Sequence, residues 1–119
     1  MDGTTYRVVG FVAPVNGCFI KEIWLSGSVK AAGGTSTIAV DNFDASANAT
    51  GNVLSTGDID PTSVPTTILE GEKLTLNTTA GNLVMDEGDV LNSTYVTGTQ
   101  TTNGEGYALT AIIIVPVIL

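Results

Sequence analysis

Residues 106–119 form the most apolar stretch of the chain and read GYALTAIIIVPVIL. The stretch begins by alternating and continues as a run of β-branched and aliphatic residues, which fit a pleated surface better than a helix. It therefore predicts a β-strand buried in a core from residue 107 to about residue 114. The end of the stretch exceeds what one sheet face needs, so we expect it to contact another subunit. The residues predicted to make this contact are Val115, Pro116, Val117, Ile118 and Leu119.

The composition of the whole chain agrees with a β fold. Charged residues make up 13% of the chain, which is about half the usual share. Helix-favouring Lys, Arg, Glu and Gln are scarce, whereas Val, Ile and Thr are frequent. Turn-forming Gly, Asn and Asp separate short apolar segments at roughly even spacing. We expect one domain, residues 1–119, with an all-β fold: a two-sheet antiparallel β-sandwich, jelly-roll-like, of eight or nine short strands.

The predicted strand at residues 18–29 shows how alternation assigns side chains to faces. Strict alternation gives two sets: Ile20, Glu22 and Trp24 on one face, and Phe19, Lys21, Ile23 and Leu25 on the other. The second set is predicted to face the core, with the aliphatic stem of Lys21 lying along apolar surface. Trp24 is then predicted to lie on the outer face or at a contact with a partner. Gly27 is predicted to mark a bulge or bend.

Residues 41–51 are rich in turn formers and are predicted to form an irregular loop. Further short strands are predicted at residues 52–55, 66–69 and 73–78.

The chain has no histidine, which excludes Ser-His and Cys-His triads and histidine-bearing zinc sites. Cys18 is the single cysteine, so no intrachain disulfide can form. It lies beside Phe19 and Ile20 and has only Lys21 nearby to lower its pKa, which favours a buried structural thiol over a nucleophile. We predict no catalytic residue and no cofactor.

Carboxylates occur in loop clusters, and three interpretations were weighed for them. They could hydrolyse a glycoside, bind calcium, or be solvated turn residues. One Trp and three Tyr give few platforms for sugar rings, and Phe43 occupies a ligand position of the EF-hand spacing in residues 41–44. Solvated turn residues are therefore preferred, and no metal is predicted. The clusters are Asp41 with Asp44, Asp58 with Asp60, Glu70 with Glu72, and Asp86 with Glu87 and Asp89.

The net charge of −8 excludes nucleic acid as a favoured partner. The basic residues are far apart in the sequence and form no cluster: Arg7, Lys21, Lys30 and Lys73. The closing apolar run is too short for a membrane-spanning helix and is interrupted by Pro116. Residues 1–5 lack the basic and apolar regions of a signal peptide. We expect a protein made in a cytoplasm, with neither nucleic acid nor membrane as a partner.

Several segments together carry a resemblance to a known family. They are residues 9–14 (VGFVAP), Gly17 with residues 23–25 (IWL), residues 33–40 (GGTSTIAV), residues 87–91 (EGDVL) and the closing apolar strand. In these segments the chain resembles the jelly-roll capsid decoration (cement) and head-associated proteins of tailed bacteriophages. The resemblance implies a β-sandwich that assembles on the outside of a capsid and bridges neighbouring capsomers. It implies no catalytic residues.

The expected function is therefore that of a decoration protein on the capsid surface of a virion, made in the host cytoplasm. Its expected partners are the major capsid protein and its own copies, as a homodimer or homotrimer with the trimer preferred. Trp24 and the closing residues 115–119 are the expected interface. The alternative is a β-sandwich module of a tail fibre or spike that recognises host glycan, in which Trp24 and the tyrosines would line an exposed groove.

Overall fold

A computed structural model describes residues 5–33, 36–43, 49–55, 57–65, 67–98, 104 and 106–117, with the backbone alone for residues 5–9 and 49–51. Asp44, Ile118 and Leu119 lie outside the described residues. The strands are β1 (Thr5–Val12), β2 (Cys18–Ser26), β3 (Thr37–Phe43), β4 (Ala49–Asn52), β5 (Glu72–Lys73), β6 (Val84–Met85), β7 (Val90–Val96) and β8 (Ala108–Ile114). A short 3-10 helix, Ala80–Asn82, precedes β6.

The strands form two packed antiparallel sheets, which confirms the predicted all-β sandwich. The first sheet has the order β1-β7-β3-β4. In the second sheet β2 is central: β8 pairs with one side of it, and β5 and β6 pair with the two ends of the other side. The first strand pairs with β7 and the second with β8. These pairings do not confirm a jelly-roll topology, which stays a prediction.

The core lies between the sheets and is built from the inward face of each. Strand β2 supplies Ile20, Ile23 and Leu25, and β3 supplies Ile38 and Val40. In β3, and in β2 from Ile23 onward, burial follows the period of two expected for strands with one solvated face.

A hydrogen bond from a buried side chain joins the two sheets. Asn42 of β3 is fully buried, and its Nδ2 donates a hydrogen bond of 3.0 Å to the Val84 carbonyl of β6. A buried side-chain amide requires such partners, because leaving it unpaired costs about 1–3 kcal/mol.

A β-bulge in β2 corrects the predicted assignment of faces. Ile20 pairs with Ile113 and Glu22 with Ile112, so Lys21 is an extra residue opposite two consecutive residues of β8. A bulge interrupts strict alternation, and Ile20 therefore faces the core together with Ile23 and Leu25. The prediction that Lys21 faces the core is wrong, since its side chain is exposed.

Strand boundaries also differ from the predicted ones in the middle of the chain. The predicted loop at residues 41–51 contains the end of β3 and three of the four residues of β4, because pairing with neighbouring strands overrides local turn preference. Residues 67–69 form a turn rather than a strand, and the strand predicted at residues 73–78 is reduced to β5 and a single bridge at Leu76. The Asn77 side chain accepts a hydrogen bond of 2.9 Å from the Thr79 amide, a local bond that competes with strand pairing.

Candidate functional site

Strand β8 lies at the edge of the second sheet and is largely exposed. Among the strands that the structure describes, β2 is its only partner. Ile112 and Ile114 are 43% and 51% exposed, whereas Leu109 and Ile113 are half-buried against the core. The prediction of a buried strand at residues 107–114 is therefore wrong for the strand as a whole. Only its inward-facing residues contribute to the core, because its side chains on the outer side of the sheet are exposed.

The outer side of the second sheet carries a continuous apolar surface. Residues that face each other in an antiparallel pair point to the same side of the sheet. Phe19 pairs with both Val84 and Ile114, and Trp24 pairs with Thr110, two residues from Ile112. Val84, Ile112 and Ile114 are all exposed, and Phe19 and Trp24 are half-buried. We call this surface the outer apolar face; its members are Phe19, Trp24, Val84, Ile112 and Ile114.

The predicted interface residues lie on and beside the outer apolar face. Trp24 belongs to it, with its ring near Gly71 at the other edge of β2. Val115 and Pro116 follow β8 directly and are exposed, and Val117 is 80% exposed. The structure thus brings Trp24 and the described part of the tail to the same sheet. Whether they contact a partner stays a prediction.

The charges around the outer apolar face are compensated. Glu22 lies between Trp24 and Phe19 on the same strand, and its Oε1 is 3.6 Å from Nζ of Lys73 on β5. Residues 106–117 contain no charged side chain, in a chain of net charge −8. Burial of this face would therefore leave the Glu22 carboxylate paired and would include no charge from β8.

The aromatic residues are divided between two places. Tyr95 and Tyr107 make an edge-to-face contact, with ring centroids 5.8 Å apart, at an apolar cleft of about 520 Å³ between the sheets. Trp24 lies on the opposite side of β2, on the outer apolar face. The glycan-binding alternative requires these side chains in one groove. In the described part of the structure, Trp24 does not share a groove with Tyr95 and Tyr107.

Tyr107 anchors the start of β8. Its hydroxyl donates a hydrogen bond of 2.9 Å to the Pro61 carbonyl and accepts one of 2.9 Å from the Ala31 amide. Its ring covers Gly27, where an added Cβ would lie 2.9 Å from a ring carbon. Gly27 thus permits a close approach of this ring just beyond the end of β2, rather than marking a bulge within the strand.

The carboxylates do not assemble a metal centre within the described part of the chain, where no group of three acidic or thiol side chains converges. Asp58, Asp60 and Glu72 line a groove of about 360 Å³. Asp60 accepts hydrogen bonds from the Thr62 hydroxyl and amide, at 2.7 and 2.9 Å, and these bonds lower its pKa. This bonding is what a turn carboxylate makes, in agreement with the preferred interpretation of these residues.

Asp41 is partly buried on β3, and its pKa is shifted upward. Burial raises its pKa above the ordinary value of 3.8, and the negative charge of Asp58 raises it further. Asp41 is not among the residues that line the Asp58–Asp60 groove. At Asp41, the raised-pKa acid and the deep cleft that a glycoside hydrolase needs are therefore not found together.

The raised pKa of Asp41 gives a testable pH dependence. Between pH 3.8 and the raised pKa the folded state binds more protons than the unfolded state, so this group's contribution to stability falls as the pH rises through that window. Asp41→Asn is therefore expected to stabilise the protein at pH 7, by less than about 1 kcal/mol given solvent screening. Urea unfolding at pH 7 and pH 3.5 measures it. An equal gain at both pH values would contradict the electrostatic cause.

Cys18 is fully buried, and its thiol donates a hydrogen bond of 3.3 Å to the Val15 carbonyl. This confirms the predicted buried thiol. A thiol in this position is shielded from solution reagents and is occupied by a structural contact.

Comparison with known proteins adds no relative: no protein-family model, no curated protein and no solved structure matches the chain. Within the described residues, none of the helical structure has the length and apolar character needed to cross a membrane. The fold therefore defines a β-sandwich with an exposed apolar sheet face, on which Glu22 and Lys73 form an ion pair, and an uncharged edge strand. These surfaces are the features that bear on its function.

Proposed function

We propose that the protein is a structural protein of a virus particle: a capsid decoration (cement) protein that binds the outer capsid surface as a homo-oligomer and stabilises contacts between capsomers. The observation that carries this proposal is the outer apolar face, formed by Phe19, Trp24, Val84, Ile112 and Ile114 across three strands. Contiguous apolar surface of this kind on a small domain typically marks a protein–protein interface. The resemblance of the sequence to bacteriophage decoration proteins supplies the kind of partner, the major capsid protein.

Trp24 is the proposed anchor of this contact. Tryptophan is enriched among residues that dominate binding energy, especially where surrounding side chains exclude water. Here the flanking Lys73 and Glu22 compensate each other at 3.6 Å and can form a polar rim. The half-buried indole is already held against its own sheet, so little side-chain freedom is lost on binding.

The net charge supports binding to a surface of opposite sign. At −8 the chain repels its own copies at a distance and is attracted to a basic patch on a partner. Attraction of this kind raises the association rate, and burial of the outer apolar face then slows dissociation.

The mechanism is linkage between binding and capsid stability. A protein that binds the assembled shell, and not its separated subunits, stabilises the shell by mass action. At a free concentration of one hundred times Kd the stabilisation is about 2.7 kcal/mol per site. Summed over many sites, this opposes the opening of capsomer contacts without any chemical step.

The proposal is tested by counting copies and by one substitution on the outer apolar face. Quantitative mass spectrometry of virions from the source of the sequence should give copies in the hundreds per particle. Ile114→Asp introduces a charge into a surface that must be desolvated, so binding to undecorated capsids should weaken at least about tenfold. Sedimentation of capsids with labelled protein measures this loss.

The matched control is Val12→Asp, which makes the same kind of change at a residue of the first sheet that is 55% exposed, compared with 51% for Ile114. It should bind as the unmodified protein does. A handful of copies per particle, or equal binding by Ile114→Asp and the unmodified protein, would contradict the proposal.

A further inference from the structure

We infer that β8 is a docking edge for a second copy of this chain: two β8 strands pair antiparallel across a two-fold axis and join their second sheets into one continuous sheet. The inference rests on the proposed function, of which self-association is a part, and it assigns the contact and the number of copies. A two-fold contact uses the same surface on both copies and closes after two. It therefore selects the dimer over the trimer preferred from the sequence.

Strand β8 differs from the other described sheet edges in having no protection. Edge strands expose unpaired N–H and C=O groups and are normally shielded by short length, bulges or charged residues. Strand β1 has a bulge at Gly10 and carries Arg7, while β4 has four residues and β5 and β6 have two each. Strand β8 has seven residues, no bulge of its own and no charge.

The lack of charge along this edge permits a second copy to dock on it. Two chains of net charge −8 repel each other, and residues 106–117 form a long segment at which no like charges meet. A charged peptide would find no ion partner on this edge. An uncharged, β-branched strand fits it, and β8 itself is such a strand.

Pairing would also continue both faces of the sheet. In antiparallel pairs the side chains keep the same in-out alternation across the new contact. The partner's Leu109 and Ile113 would thus extend the wall of the 520 Å³ cleft, which these residues line in one copy. The partner's Ile112 and Ile114 would extend the outer apolar face. One contact thereby enlarges the surface proposed to bind the capsid.

The first experiment measures the mass of the purified protein without capsids. Sedimentation equilibrium should give a species of twice the 12.2 kDa chain mass. Thr110→Lys places a positive charge on β8, close to the same charge on β8 of the second copy. The repulsion between them should raise the dimer Kd at least about tenfold. Thr78→Lys, the same change at an exposed residue outside the strands, should leave the dimer unchanged.

The second experiment identifies the contact by disulfide formation and holds even where Thr110→Lys fails to fold. Single cysteines at residues 110–113 are introduced one at a time into a Cys18→Ala background. In a two-fold antiparallel pair one residue faces its own copy with Cα atoms about 4.5–5.5 Å apart, within disulfide range. The residues before and after it on the strand are then too far from the same residues of the second copy to form a disulfide. One strong cross-link position supports the inference, with Val12→Cys as the control on the opposite sheet.

A monomer at all concentrations, a dimer that cross-links at none of the β8 positions, or cross-links of equal strength at all of them would each overturn the inference. The two proposals fail separately. A monomeric protein present in hundreds of copies per virion would remove the β8 contact and keep the decoration function. A β8 dimer that is absent from virions would do the reverse.

Discussion

Deletion of Trp24 is expected to destabilise the protein far more than deletion of Lys21 from the same strand, which is expected to preserve the fold. The difference follows from the bulge in β2. Lys21 is the extra residue between the Ile20–Ile113 and Glu22–Ile112 pairs. Without it, Ile20, Glu22 and Ile23 alternate regularly and keep their present faces, so the cost should stay below about 2 kcal/mol.

Deletion of Trp24 admits no such adjustment. Either Leu25 turns outward, or the bulge is removed and Glu22 enters the core while Ile23 leaves it. Exposing one large aliphatic side chain costs about 1.5–3 kcal/mol, and burying an unpaired carboxylate costs several more. The first alternative carries the first of these costs and the second carries both, so each removes a large part of the about 5–15 kcal/mol that stabilises a typical domain.

Circular dichroism and thermal unfolding of the two deletion variants measure this contrast. Trp24→Ala is the control, because it removes the indole without changing the register of β2. It should remain folded. Unfolding of the Lys21 deletion, or a folded Trp24 deletion with the stability of Trp24→Ala, would show that the register argument is incorrect.

The second large effect is expected at Tyr107, where Tyr107→Ala should lower the free energy of unfolding by about 3–5 kcal/mol. The ring packs over Gly27 and contacts Tyr95, and its loss leaves a cavity between the sheets. Tyr107→Phe keeps the ring but leaves the Ala31 amide and the Pro61 carbonyl without the hydroxyl. Its cost should be about 1–3 kcal/mol. Urea unfolding at pH 7 measures both, and equal losses would show that the ring itself contributes nothing.

Tyr107 also predicts the behaviour at alkaline pH. Burial raises its pKa above the ordinary value of 10.0, partly offset by the hydrogen bond from Ala31. For a raised pKa the contribution to stability is complete below pH 10 and is lost as the pH rises through the folded-state pKa. The unmodified protein should therefore lose stability above pH 10 more steeply than Tyr107→Phe. Parallel curves for the two proteins between pH 9 and pH 11.5 would contradict this.

Much of the fold could be predicted because one-sided strands have a short period that the sequence displays directly. Strands β2 and β8 were found within three residues of their predicted ends. The faces of β2 could not be predicted from alternation, because a bulge is fixed by the pairing of two strands far apart in sequence. The same reason applies to β4, whose Ala-Thr-Gly-Asn sequence has weak strand preference and is paired by β3.

The candidate site was predicted in part. Trp24 and the apolar tail could be singled out because the sequence pattern assigns neither of them to the core. Trp24 was predicted on the outer face, and the tail lies beyond the predicted core strand. Phe19, Val84, Ile112 and Ile114 could not, because their adjacency depends on the register of β2 with β6 and β8. Strand β8 was assigned to the core on its alternation, its β-branched residues and its hydrophobicity. These features do not distinguish a central strand from an edge strand whose outer side is exposed.

The two edges of the second sheet are unequal: one is the full length of β8, and the other is divided between β5 and β6, of two residues each. The second sheet therefore offers one full-length edge for pairing with another strand. A molecule with one such edge can form a dimer through it but no longer chain, whatever its concentration. Pairing through β8, as proposed above, would therefore end at the dimer without the apolar strand seeding fibres.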